Sequence, residues 1–552
     1  MCQDAIPSAV AAPAVASGMP DGAALHRRTI RDAVNELGIE LAQDVPLWPP
    51  DVFAVVASVL QRSGTYRHAV TRWPPGEQEP DTWAKEMTEL GEKWGSAWSR
   101  HGAAPPEVVR WWSVLQSAAD LPVDELPSGT NVVEACLLLL AAADEACKGV
   151  GVVDDAARYD DFRMRALELL AGEPGPSSLC ERVDKSRGIV LPKMHTPQSG
   201  LSVRSLSHNL AFCIPGEVTP RWDVAPAPLG KASLNLLLLP WPLEVVPSQF
   251  RPNKGHLSNM DEDAFRFFTC EAKARPAYDD RVAVLMTEAE RLVGRVDALV
   301  FPELALHRGD AVRLARRFDK VVVGGEGSAS DTETGDPGTN LAVIAVPTVN
   351  EVYRSEQHKH HRWRLDERQI GQYGLGSQLD PNRSWWEHIE LPERQVRFWC
   401  LDGWLTFCVL ICEDLARQEP VAPVVRAVGP NLVIALVMDG PQLGGRWTSR
   451  YATVLAEDPG SSVLALTSFG MVDLSRASGN PPSRVVALWK DGTGGAPREI
   501  SLEPGAEGVI LCLTQKDVKE WTADGRHDDY ASGYLLLNGV HQVRPNGAER
   551  SG

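Results

Sequence analysis

Long apolar runs are missing from this 552-residue chain. No segment approaches about 18 uninterrupted apolar residues, the least that crosses a bilayer as a helix. The nearest, "ACLLLLAAADEAC" at 135–147, is interrupted by acids, so no membrane partner is expected. Paired cysteines are missing too. Ten are scattered along the chain, with no CxxC pair and no regular framework, which implies reduced, mostly buried thiols in the cytoplasm. The start, "MCQDAIPSAVAAPAVASGMPDG", lacks the basic residues of a secretory signal, and 1–24 reads as a disordered tail. Positive charge is short: 55 Lys and Arg face 73 Asp and Glu, a net charge of −18 that argues against a nucleic-acid partner. Cofactor signatures are also thin. "GQYGLGSQ" (371–378) does not lead from a strand into a helix, as a dinucleotide loop must. "QHKHHR" offers His358, His360 and His361 but no second ligand cluster, so it reads as a surface histidine run. No metal and no organic cofactor are expected.

With 43% hydrophobic and 23% charged residues the chain is globular, and its length suggests two to three domains. Residues 25–172 read as a mainly helical domain. In "DTWAKEMTELGEKWGSAWSRHG", Trp83, Met87, Leu90, Trp94 and Trp98 recur at three- and four-residue steps, an apolar stripe that packs a helical core rather than forming a ligand box. Residues 173–231 form a turn-rich connector with short β-like runs. From 232 to 515 the pattern changes to alternating strands and helices: "LNLLLLPW", "DALVFPEL", "KVVVGGEG", "NLAVIAVP", "LTFCVLIC", "NLVIALVMD" and "SSVLALTSFG" are apolar runs of strand length. That alternation predicts a buried α/β sheet domain. The extension at 516–552 looks irregular, with "TADGRHDDYASG" and "VRPNGAERSG" exposed.

Within this domain, buried strands end on groups that can do chemistry. "ALVFPEL" delivers Glu303, "VLICEDL" delivers Cys412, and "YRSEQHKHHRWRLDE" between them carries Lys359. Strand ends are where α/β sheets build their sites. A thiol acts as thiolate and needs a base or a positive neighbour. A nearby carboxylate can take its proton, and a lysine with a backbone N–H can hold the oxyanion formed on attack. Each residue also has a structural reading: a core cysteine, a helix cap and a solvated lysine.

The ordered set "VFPEL", "YRSEQHK" and "GWLTFCVLICEDL" resembles the nitrilase, or carbon–nitrogen hydrolase, superfamily over roughly 232–515. "GTNLAVIAVP" and the stretch from "LVIALVMDGPQLGGRW" to "TSFG" are similar to further family segments. The resemblance implies a four-layer α-β-β-α sandwich that often dimerises, here preceded by the helical domain. It implies Glu303 as general base, Lys359 as oxyanion stabiliser and Cys412 as nucleophile. Glu367, eight residues after the lysine, matches a second glutamate of some members, and Glu413 would lend its backbone N–H. Asp439, Gln442, Arg446 and Trp447, in a loop unlike the common version, would line the pocket. "CED" is similar to the glutaminase domains of NAD synthetases, but the "SGGxDS" of their synthetase half is absent.

The expected function is therefore cysteine-dependent hydrolysis of a small-molecule amide, or less readily a nitrile, through a thioester. The competing expectation is a partner-binding or sensor/effector protein, connected with stress or defence, whose helical domain binds a protein and whose nitrilase-like half is regulated or degenerate.

Overall fold

The computed structural model describes residues 27–545 apart from 72, 74–78, 127–129, 153–159, 173–174, 228, 231, 256–264, 271–277, 333, 476–481 and 528–531. The expected tail at 1–24 and the last residues, 546–552, lie outside the described residues.

Up to residue 171 the described regular structure is α- and 3-10-helical. The α-helices are Ile30–Asn35, Pro49–Ser63, Pro80–Ser99, Pro106–Ser117, Asn131–Ala146 and Asp161–Ala171. Three of them open on proline, whose fixed φ and missing N–H suit the first turn. Asn131–Ala146 is apolar almost all round and packs against three of the others. Gly91 allows its closest approach, since a Cβ there would lie 2.6 Å from the Ala146 nitrogen. The tryptophan stripe is core: Trp83 and Trp94 are buried, and the Trp94 indole N–H donates to the Leu47 carbonyl at 2.8 Å.

Two seven-stranded sheets follow. The first runs, edge to edge, Val352–His358, Thr339–Pro347, Val321–Ser328, Ala298–Val300, Ser233–Leu238, Gly508–Val518 and Ser532–Val543. The second runs Arg498–Ser501, Val485–Lys490, Ser462–Thr467, Leu432–Val437, Leu405–Ile411, Gln395–Leu401 and Thr219–Ala225. Leu405–Ile411, Leu432–Val437 and Ser462–Thr467 are parallel neighbours and buried throughout, which is why they read as unbroken apolar runs. Leu236, Val300 and Val323 of the first sheet meet Phe407, Leu432 and Ile434 of the second in a shared apolar layer. On the far side of the first sheet, Leu237, Leu299 and Val322 pack against helices Tyr278–Val293 and Asp310–Phe318. Helices Val421–Val428 and Trp447–Glu457 contribute Val425 and Ala452 to the core that includes the second sheet. A small four-stranded sheet of Arg364–Leu365, Ser384–Glu387, Phe265–Cys270 and Phe250–Asn253 stands apart.

The sheets reach beyond 232–515. Thr219–Ala225 joins the second as an edge strand parallel to Gln395–Leu401, and Ser532–Val543 is a twelve-residue edge of the first. Among the described residues after 515, the expected irregularity is corrected by that strand and the expected exposure of "TADGRH" by its partial burial; 528–531 and 546–552 lie outside the described residues. Thr522, Asp524 and Arg526 are buried, because Arg526 meets Asp144 at 3.2 Å, Glu145 at 2.6 Å and Asp524 at 3.1 Å. Seven of the nine described cysteines are buried. Among the described residues no helix is long and apolar enough to cross a membrane.

Candidate active site

Strand Leu405–Ile411 ends in a sharp turn at Cys412, which is buried. The Cys412 N–H still donates to the Leu436 carbonyl at 2.9 Å, the last rung of the parallel ladder. At the same residue the backbone switches to φ 47°, ψ −109° and helix Glu413–Ala416 begins. A side-chain-bearing residue there stores roughly 1–3 kcal/mol of strain, a conformation that clusters at functional sites. Glu413 is the first residue of the helix, so its N–H has no acceptor inside it. Burial pushes the Cys412 thiol well above the ordinary cysteine value; Glu303 adds to this, Lys359 opposes it, and Asp439 and Glu413 raise it further.

Glu303 sits just past the short strand Ala298–Val300, with its side chain 1% exposed. Its turn is held by strand Val321–Ser328: Gly325 donates to the Pro302 carbonyl at 3.1 Å and accepts from Leu306 at 2.9 Å. The residue at 325 must be glycine, because a Cβ would lie 2.5 Å from the Leu304 nitrogen and 2.6 Å from the Glu303 Cα. Leu304 is itself at φ 53°, so left-handed backbone follows the glutamate as it marks the cysteine.

Lys359 follows edge strand Val352–His358, and its ammonium is buried between two carboxylates. Its Nζ is 2.7 Å from Glu303 Oε1 and 2.6 Å from Glu387 Oε2. Asn340 Nδ2 donates to Glu303 Oε1 and to Glu387 Oε1, both at 2.8 Å, which closes the ring of four side chains. Burial alone would lower the Lys359 pKa, but Glu303, Glu387 and Cys412 together hold it well above the usual lysine value. Burial raises the Glu303 carboxyl, Lys359 opposes the rise and Glu387 adds to it. Glu303 Oε2 is buried and has no hydrogen-bond partner among the described residues. Glu303 also forms part of the wall of a cavity of about 310 Å³, whose other walls include Val245, Leu304, Met438 and Met471, with His307 and Arg308 contributing polar atoms.

Other expected site residues sit elsewhere. Glu367 is exposed in the first turn of helix Glu367–Gln372, capped by Asp366, where a carboxylate suits the helix N-terminus. The second glutamate at the lysine is Glu387. Asp439, Gln442, Arg446 and Trp447 are not among the residues lining the Glu303 cavity. Arg446 and the Trp447 indole each donate to Asp439 at 2.8 Å, joined by the Tyr373 hydroxyl and the Gly440 N–H, while Gln442 is buried on the Gly440 carbonyl. Asp439 is thus an anchor for its loop, its acceptor sites filled by the chain. The Glu413 side chain is paired with Arg417 at 2.8 Å. The histidine run is a surface feature only in part: His360 is 2% exposed, whereas the His358 and His361 side chains are 36% and 20% exposed. Among the described residues no metal-holding cluster exists.

Sequence reasoning missed Glu387, Asn340 and Asp414. Asn340 stands in a recognised strand, "GTNLAVIAVP", and a polar residue among buried apolar ones was a usable signal. Glu387 ends a four-residue strand that nothing nearby in sequence connects to Lys359.

No protein-family model matches the sequence, and no curated protein matches it. Among solved structures, the chain is similar to an amidase from Nesterenkonia sp. at 12% identity and a TM-score of 0.29, over 52% of this chain and 93% of that one. It is similar to Saccharomyces cerevisiae Nit3, a member of branch 10 of the nitrilase superfamily, at 13% identity and a TM-score of 0.27, over 58% and 93%. An N-terminal amidase with a Gln-Gly peptide is similar at 11% identity and a TM-score of 0.21, over 41% and 53%. Over about half of its length the chain is thus similar to amidases and to a nitrilase-superfamily member.

Proposed function

We propose that this chain hydrolyses a nonpeptide carbon–nitrogen bond, most readily that of a small amide, on a four-layer α-β-β-α scaffold with Cys412 as nucleophile. The observation that carries the reading is the unpartnered, buried Glu303 Oε2 beside a fully buried lysine. A buried acceptor without a donor is unfavourable unless something arrives to use it, and the Cys412 proton is the group it suits.

In this mechanism Glu303 Oε2 takes the Sγ proton as the sulfur attacks the amide carbonyl carbon. The C–S bond forms and the carbonyl π electrons move to oxygen. An ammonium has three donors; two of those of Lys359 serve Glu303 and Glu387, and the third meets the oxyanion together with the Glu413 N–H. Protonated Glu303 then gives its proton to the leaving nitrogen, the C–N bond breaks and an amine or ammonia departs. Water attacks the thioester carbon as Glu303 takes its proton, the C–S bond breaks, Glu303 returns the proton to the sulfur, and the carboxylic acid product leaves. Glu387 and Asn340 hold the acid and the lysine in register.

Ammonia release from a panel of primary amides tests this. Wild type releases ammonia from at least one amide and Cys412→Ala does not; equal release by the two proteins would sink the hydrolase reading.

A further inference from the structure

The reactive pair comes from two different sheets. Lys359 follows the edge strand Val352–His358 of one, whereas Cys412 ends the interior strand Leu405–Ile411 of the other. The layer between the sheets is largely apolar and non-directional, and its polar links near the lysine go to strand Gln395–Leu401. Gln357 Nε2 donates to the Gln395 carbonyl at 2.6 Å, its Oε1 accepts from the Arg397 N–H at 3.0 Å, and His360 Nε2 lies 2.8 Å from the Gln395 carbonyl. These do not reach the turn that carries Cys412.

Asp414 supplies a directional link. It lies two residues after Cys412 and is 2% exposed. The His360 N–H donates to Asp414 Oδ1 at 3.2 Å and Oδ2 at 3.1 Å, and His361 Nδ1 lies 2.9 Å from Oδ1. The preceding peptide is fixed as well, since the Lys359 N–H donates to the Asn340 carbonyl at 3.0 Å. Lys359 therefore stands between two anchored peptides, one held by its own sheet and one by the turn that carries the nucleophile. Burying a carboxylate is costly unless it is well hydrogen-bonded, and among the described residues all of Asp414's bonds go to His360 and His361.

We infer that Asp414 is a positioning residue, a tether between sheets that sets the Lys359 ammonium against the Cys412 sulfur, with His361 as its side-chain partner. The inference rests on the hydrolase reading above. It accounts for the acids beside the thiol: Asp414 holds the lysine loop, and Glu413 turns to Arg417. Lys359 is a cation acting on Cys412, against Glu303, Asp439 and Glu413, so loosening its loop weakens a charge that favours thiolate.

The test uses the full-length protein and needs no substrate. Iodoacetamide modification of Cys412 is followed across pH by peptide mass spectrometry for wild type, Asp414→Ala and Asp414→Asn. Asp414→Ala is expected to move the alkylation profile of Cys412 upward by about one pH unit or more, the scale of a lost opposite charge at close range. Asp414→Asn, which keeps an acceptor for the His360 N–H, is expected to shift it less. On an amide substrate, kcat falls by about 100-fold in Asp414→Ala with little change in KM, the cost of misplacing a reacting group by about an ångström. A folded Asp414→Ala with the wild-type alkylation profile overturns the tether; if that variant does not fold, a wild-type profile in Asp414→Leu, which keeps the volume and lacks any acceptor, does so. A shifted profile in a protein that hydrolyses no amide supports the tether and removes the hydrolase reading instead.

Discussion

Lys359 carries its charge where solvent does not reach, and the carboxylates of Glu303 and Glu387 keep it there. The two acids are not equivalent. Glu303 has one oxygen without a partner among the described residues, whereas both oxygens of Glu387 are occupied, by Asn340 on one side and by Lys359 and the Trp363 N–H on the other. Glu387 is thus suited to hold and Glu303 to exchange a proton. Because Glu387 raises the Glu303 carboxyl, removing its charge lets Glu303 ionise at lower pH. Glu387→Gln is therefore expected to move the acidic limb of the kcat/KM profile to lower pH. It should also reduce kcat by up to about 100-fold as Lys359 loses a partner. An acidic limb that stays in place would show that Glu303 is not the titrating base.

The elements that present these residues are shaped by close backbone approaches. Strand Val321–Ser328 reaches the Glu303 turn only because Gly325 has no side chain. Gly325→Ala must push that turn aside, with an expected loss of about 1–3 kcal/mol, the usual range for overpacking, and a larger fall in kcat than in stability. Thermal unfolding and steady-state rates on one preparation check both, and an alanine variant with full activity would show that the turn is adjustable. The same elements explain what sequence could convey. Leu405–Ile411 and Leu432–Val437 are buried on both faces, so their apolar runs are continuous and their ends are visible. Glu303 and Cys412 stand out as polar groups where such runs stop. Glu387 does not, because Ser384–Glu387 is short and depends on parallel pairing with Phe265–Cys270, far upstream. Glu367 has suitable spacing from Lys359, but helix geometry turns it to solvent.

Across the whole molecule, the helical region and the sheets are joined by buried charge. Arg526, between the two C-terminal strands, lies among Asp144 and Glu145 of helix Asn131–Ala146, Asp524 and the Leu206 carbonyl. The polar "TADGRHDD" reads as solvent-exposed because two of the acids that meet Arg526, Asp144 and Glu145, lie hundreds of residues away in the chain. Arg526→Met removes the cation that Asp144, Glu145 and Asp524 all bond, and breaking such a buried cluster costs about 3–5 kcal/mol. A marked fall in thermal midpoint is expected, against almost none for Arg31→Met, whose pair with Asp120 is exposed. Equal midpoints would mean that the cluster does not join the two regions. The central claim, however, rests on one sulfur. Intact-protein and peptide mass spectrometry after exposure to the amide panel reads it directly. An acyl adduct on Cys412, present in wild type and absent from Cys412→Ala, is the expected result; hydrolysis that proceeds with no adduct on Cys412 and survives its replacement would contradict it.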